Sequence, residues 1–134
     1  MKAISIRQPW AWAILYAGKD IENRDGRWNL RGRVVIHAGK TLSRAERAAI
    51  DDVAAFIRKP GLVVPSPRQF AERGLLGALI GTVEIVDCVA HSNSPWFYGP
   101  FGLVLREPRP FPTPIPFKGA LGLMNVPDGI LPPD

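Results

Sequence analysis

The six residues Lys19–Arg24 (KDIENR) place an ammonium, a carboxylate and a guanidinium, Lys19, Glu22 and Arg24, directly behind Gly18. Such a set can anchor a phosphate, move a proton, or brace two elements as an ion-pair ladder. The basicity of Lys19 is set by two opposed effects, attraction to Glu22 and repulsion from Arg24. In an extended chain Glu22 and Arg24 share a face and Ile21 points the other way, with Lys19 on the opposite parity unless the turn behind Gly18 distorts it. The acidic partner expected from elsewhere is Glu84. If the chain is an enzyme, Lys19, Glu22 and Glu84 are its candidate catalytic residues, and in an open cleft Lys19 and Glu22 should matter to function more than to folding.

Other chemistry is sparse. His37 and His91 are the only histidines, and His37 reads as a satisfied strand histidine with no evident Ser or Asp partner for a triad. The single Cys88 cannot form an internal disulfide, and no Cys/His spacing resembles a zinc module. Phosphate-loop and dinucleotide fingerprints are absent, so neither metal nor organic cofactor is expected.

Charge is unevenly spread. The net charge is +5, and residues 1–40 hold eight Lys/Arg against three Asp/Glu, while residues 41–134 hold nine of each. With Trp10, Trp12 and Trp28 interleaved, this surplus is either the footprint of phosphate neutralisation and base stacking or a solvated basic surface. Trp10 and Trp12, two apart on a helix, cannot both face inward, which puts one at a cleft rim. Trp96, Phe97 and Tyr98 form either a wall for a base or a packed corner beside Gly99-Pro100.

The elements that position these residues follow from local pattern. Lys2–Ile6 alternates as a strand, Gln8-Pro9 opens a helix, and Gly18 closes it, aiming the charged segment. A turn-rich stretch then leads to a strand over Arg33–Ala38. Ser43 to Glu46 is a capping box before a helix carrying Ala49, Val53, Phe56 and Ile57, up to Pro60-Gly61, with Arg44, Arg47 and Asp51 on its solvated face. A short helix is expected over Pro67–Arg73, and strands over Ala78–Ala90, Phe101–Arg106 and Gly122–Val126. Pro108, Pro110, Pro112, Pro114 and Pro116 predict an extended surface loop outside any sheet. The sum is a single α+β domain over residues 1–134, a small mixed β-barrel with flanking helices. Lys2 and Arg7 before a short apolar run only faintly imitate a signal peptide, and the run Gly74–Val83 is too short to span a bilayer, so a cytoplasmic protein without a membrane partner is expected.

The stretch SIRQPWAWAILYAGKDIENRDGRWNLRGRVVIHAGK resembles the opening of an ASCH domain, the activating-signal-cointegrator homology domain. GTVEIVDC, SPWFYGPFGLVL and PFKGALGL are similar to its later parts, so the resemblance covers nearly the whole chain. It implies a PUA-like barrel with a cleft between barrel and helices for RNA or another nucleic acid. Carried over by position, Gln8, Pro9, Trp10, Lys19, Glu22, Arg24, Arg31, Gly32 and Lys40 surround that cleft. Of these, Gln8, Trp10, Lys19, Arg24, Arg31 and Lys40, together with Arg7, Trp28, Trp96 and Lys118, make the expected nucleic-acid-binding set.

Some members of the family are assigned hydrolysis of RNA or of an acylated nucleoside, with a cleft lysine and acidic residues in catalytic roles. The amidohydrolase-like relatives have Thr at about the position of Glu22, where this chain follows the cointegrator-like members. The expectation is therefore a binder of RNA or single-stranded nucleic acid, with a nucleoside also admitted as ligand. The alternatives are a ribonuclease or nucleoside amidohydrolase using the same cleft, and a protein-interaction module presenting Pro108–Pro116 as a polyproline-type ligand.

Overall fold

In the computed structural model, which describes residues 1–133, Lys2–Ile6 forms β1, Trp10–Tyr16 α1, Ile21–Arg24 β2 and Gly32–Ala38 β3. Arg44–Phe56 is α2, Pro67–Glu72 α3, Ala78–Val89 β4, Phe101–Pro116 β5 and Leu123–Asn125 β6, and a 3-10 turn over Asp128–Ile130 follows. The strands make one six-stranded sheet in the order β2-β5-β4-β3-β1-β6, curled into half a barrel. Only β1 and β3 run parallel; the other neighbours are antiparallel. The α+β class and barrel-like curvature expected from the sequence hold. No helix among the described residues is long and apolar enough to cross a membrane.

Alternation divides the sheet into two faces. Ile4, Ile6, Val34 and Ile36 pack with Ala11, Ile14 and Leu15 of α1, while Ala3, Val35, Leu79 and Val126 form a second core covered by Phe111, Ile115 and Phe117. Ser5 and His37, register partners on the parallel pair, continue the parity of this second face to its end. The capping box of α2 is complete: Glu46 N–H donates to Ser43 Oγ at 3.1 Å, and Ser43 N–H donates to Glu46 Oε1 at 2.7 Å. The helix buries Ala49 and Val53, the latter packing in a third core with Trp12 and Phe70. A second box, Ser66 with Gln69, starts α3.

The proline-rich segment corrects the sequence reading. It is not a loop but the second half of β5, paired with β4 through Thr82↔Arg109, Gly81↔Pro110 and Ala78↔Pro116. Because β2 pairs only with residues 101–104, everything beyond is an edge, where proline is tolerated if its missing N–H points outward. Between Gly81↔Pro110 and Leu79↔Ile115 residues 111–114 bulge out of the β4 register, so Pro110 and Pro116 face β4 residues of opposite parity. One extra β5 residue is inserted between Glu84↔Arg106 and Thr82↔Arg109, where Glu107 adopts φ 52°, and this insertion resets the parity just before Pro108. Bound into the sheet, the segment is not a free polyproline ligand.

Candidate functional site

At the end of α1, Gly18 takes φ 75°, a left-handed conformation that glycine adopts without strain, and the Lys19 amide turns back to the Ala13 carbonyl at 3.1 Å. That reversal tucks the Lys19 side chain inward, leaving the residue 4% exposed. Its ammonium donates to the Ile21 carbonyl and to Glu22 Oε1, the latter at 3.3 Å, while Arg24 Nη2 donates to Glu22 Oε2 at 3.3 Å. Glu22 and Arg24 share a face as the alternation predicts, and the turn brings Lys19 to the same carboxylate.

Lys19 is therefore not the open cleft residue that the sequence suggested. Burial lowers its pKa below the usual lysine value; attraction to Glu22 and Asp20 opposes the shift without cancelling it, and Arg24 adds to it. Around the cluster, the Lys19 ammonium lies 5.9 Å from the Trp10 ring centroid and the Arg24 guanidinium 4.8 Å from that of Trp28. Arg24 Nε is buried without a hydrogen-bond partner.

A second feature lies where the strands end. Gly39 N–H donates to Ile6 O (3.2 Å), Gly77 N–H to Gly39 O (3.0 Å) and Phe117 N–H to Gly77 O (3.0 Å), extending the ladder beyond β1, β3, β4 and β5. Over this floor opens a cleft of about 940 Å³, whose lining includes Ser5, Arg7, His37, Lys40, Glu46 and Lys118. Its one carboxylate, Glu46, is engaged by Arg7 Nη1 at 2.9 Å and by the Ser43 amide at 2.7 Å. Burial raises the Glu46 pKa, but those bonds outweigh it and hold the carboxyl below its ordinary value. Lys40 and Lys118 are exposed and make no ion pair among the described residues, so the cleft carries uncompensated positive charge.

His37, 4% exposed, is satisfied as expected, its Nε2 2.8 Å from Phe117 O, but it also has the serine partner that the sequence did not reveal: Nδ1 lies 3.3 Å from Ser5 Oγ. Ser5 joins the two features, since its carbonyl accepts from Arg24 Nη2 at 3.2 Å and its side chain lines the cleft.

The sequence-predicted residues thus separate. Arg7, Lys40 and Lys118 line the cleft; Trp10, Lys19, Glu22, Arg24 and Trp28 form the cluster behind Ser5. Trp10 is half-buried and Trp12 wholly buried, in agreement with one tryptophan of the pair lying outward.

Three expected site residues, Gln8, Trp96 and Glu84, lie elsewhere than the sequence suggested. Gln8 is 0% exposed and cannot touch nucleic acid: its Oε1 accepts the Trp12 amide at 2.8 Å, serving a first-turn donor of α1, and its Nε2 donates to Leu75 O at 3.0 Å. Trp96 is buried against Phe56, ring centroids 4.6 Å apart, and is a packed corner rather than a stacking wall. Glu84 does not join Lys19 either, because both its oxygens are held by Arg106 at 3.0 and 3.3 Å. Arg31 turns to the Trp28 and Leu30 carbonyls, both at 2.9 Å, and to Asp87 at 3.7 Å. Ser5, Thr41, Ser43 and Glu46, none of them singled out as site residues from sequence, line the cleft. Only the Ser43/Glu46 capping box carried a local signal.

Among the described residues no three His, Cys, Asp or Glu side chains are grouped to hold a metal ion. Compared with protein-family models and with curated protein sequences, the chain matches none.

Proposed function

We propose that this chain is an ASCH-type, PUA-like barrel that binds RNA, or another nucleotide-like ligand, in the basic cleft beyond the ends of β1 and β3. The observation that carries the reading is the pair Lys40 and Lys118, exposed on one cleft and making no ion pair among the described residues. A phosphate chain supplies the missing charge and releases its counterions on binding. A volume of about 940 Å³ accommodates a nucleotide-sized segment. The test is the salt dependence of single-stranded RNA binding. Each phosphate neutralised contributes about 0.7 to the slope of log affinity against log salt. Lys40→Glu and Lys118→Glu should each flatten that slope by at least this amount, and binding that ignores salt, or fails at low salt, refutes the reading.

Hydrolysis is the second reading, favoured by the lowered Lys19 pKa beside Glu22, which eases loss of the ammonium proton. Its signature is turnover of RNA or acylated nucleosides that Lys19→Arg abolishes, because a guanidinium does not give up its proton near neutral pH. Equal background rates in both proteins exclude Lys19 as the catalyst on those substrates.

A further inference from the structure

We infer that Ser5, its hydroxyl proton committed to His37, presents only lone pairs to the cleft and selects ribose over deoxyribose by accepting a hydrogen bond from the 2′-hydroxyl. The inference rests on the reading that the cleft takes a phosphate-bearing nucleotide chain. Polarity at this point follows from what each atom is able to do. A carbonyl oxygen only accepts, so the 2.8 Å contact between His37 Nε2 and Phe117 O requires the ring proton on Nε2. A neutral imidazole carries one N–H, which leaves Nδ1 a bare acceptor. Its partner at 3.3 Å is Ser5 Oγ, whose single proton must point at the ring.

The main chain of Ser5 is also occupied, its amide by Gly122 O at 3.0 Å and its carbonyl by Arg24 at 3.2 Å. What remains for a ligand is the pair of oxygen lone pairs on a cleft-lining side chain. The His37 ring is fixed in turn by the Phe117 contact and by Gly119, where any Cβ would overlap it.

The nature of the donor follows from the neighbours. Lys40 and Lys118, which make no ion pair among the described residues, line the same cleft as Ser5 and are the anchors for phosphates, so the ligand group reaching Ser5 is the one next to a phosphate, the sugar rather than the far edge of a base. Phosphates offer no proton at neutral pH. The 2′-hydroxyl is the donor that RNA has there and DNA lacks.

The experiment measures fluorescence anisotropy at pH 8 with one single-stranded sequence in four forms: 2′-hydroxyl, 2′-deoxy, 2′-fluoro and 2′-methoxy. Wild type should bind the 2′-hydroxyl form roughly 2- to 10-fold more tightly than the other three, the range of one net hydrogen bond. The 2′-fluoro form separates donation from sugar shape, since fluorine cannot donate. Ser5→Ala should bring RNA down to the level of DNA and leave DNA affinity unchanged. A 2′-fluoro strand that binds as well as RNA, or a Ser5→Ala protein that keeps the full preference, overturns the role of Ser5 while the cleft reading stands. Failure of all four strands to bind overturns both.

Discussion

Lys19 is the sharpest test of how the site is built. Lys19→Ala removes an ammonium whose acceptors are the Ile21 carbonyl and Glu22, and it empties the space of the lysine stem. Stripping one partner from a buried ion pair costs about 3–5 kcal/mol when the other charge is left alone. Here Glu22 keeps Arg24, so the loss should fall near about 2–3 kcal/mol, a drop in Tm of about 8–12 °C for a chain this size. Lys19→Met restores the stem volume without the charge and should lose about half as much.

The pH dependence is independent of that estimate. Burial lowers the folded-state pKa of Lys19, against an unfolded value of about 10.4. Between the two values the unfolded chain binds more protons, so this residue's contribution to stability rises with pH there, by at most about 1.4 kcal/mol per pH unit, and is flat below the folded value. Urea unfolding followed by tryptophan fluorescence from pH 7 to 10.5 should show wild type gaining on Lys19→Met toward the alkaline end. Parallel pH profiles for the two proteins, or a Lys19→Ala protein with a Tm within about 2 °C of wild type, would refute the buried-ammonium account.

Glu46 should behave in the opposite sense. Its depressed pKa means a contribution present above the unfolded value near 4.3 and lost as pH falls through the folded value, so Glu46→Gln should cost about 1 kcal/mol at pH 7 and close on wild type at pH 3, measured by denaturant titration at both. Gly119→Ala forces a methyl into the His37 ring and should lower stability by about 1–3 kcal/mol while shifting the cleft wall, read as a lower Tm and weaker RNA binding together. Gln8→Leu leaves the Trp12 amide and the Leu75 carbonyl without their partner, a loss of about 2–4 kcal/mol by denaturant titration, yet RNA affinity per folded molecule should be unchanged because Gln8 does not reach the cleft.

What the sequence made legible was local. The Ser43/Glu46 box, the Gly18 stop and the alternation of Lys2–Ile6 each depend on neighbours a few residues away, and each forms as read. Pairings across the chain were hidden. Ser5 meets His37 only because β1 and β3 run parallel in one register, and no residue type announces that register. Gln8 looks like a polar contact until the turn after α3 delivers Leu75 O to it, and Glu84 looks like a spare acid until β5 sets Arg106 beside it. The proline stretch misled because the rule against proline in sheets holds for strands paired on both sides, and half of β5 is paired on one.

That one-sided strand has a consequence for how molecules of this chain meet one another. A bare sheet margin ordinarily offers alternating donors and acceptors on which a strand from a second molecule can nucleate, the first step of edge-to-edge aggregation. Across Pro108–Pro116 every second residue lacks an N–H and residues 111–114 leave the β4 register, so an incoming strand finds no continuous row of donors. A long edge that would otherwise be adhesive is thereby chemically blunt, and replacing these prolines with alanine should give a protein that binds thioflavin T on concentration where the parent chain does not.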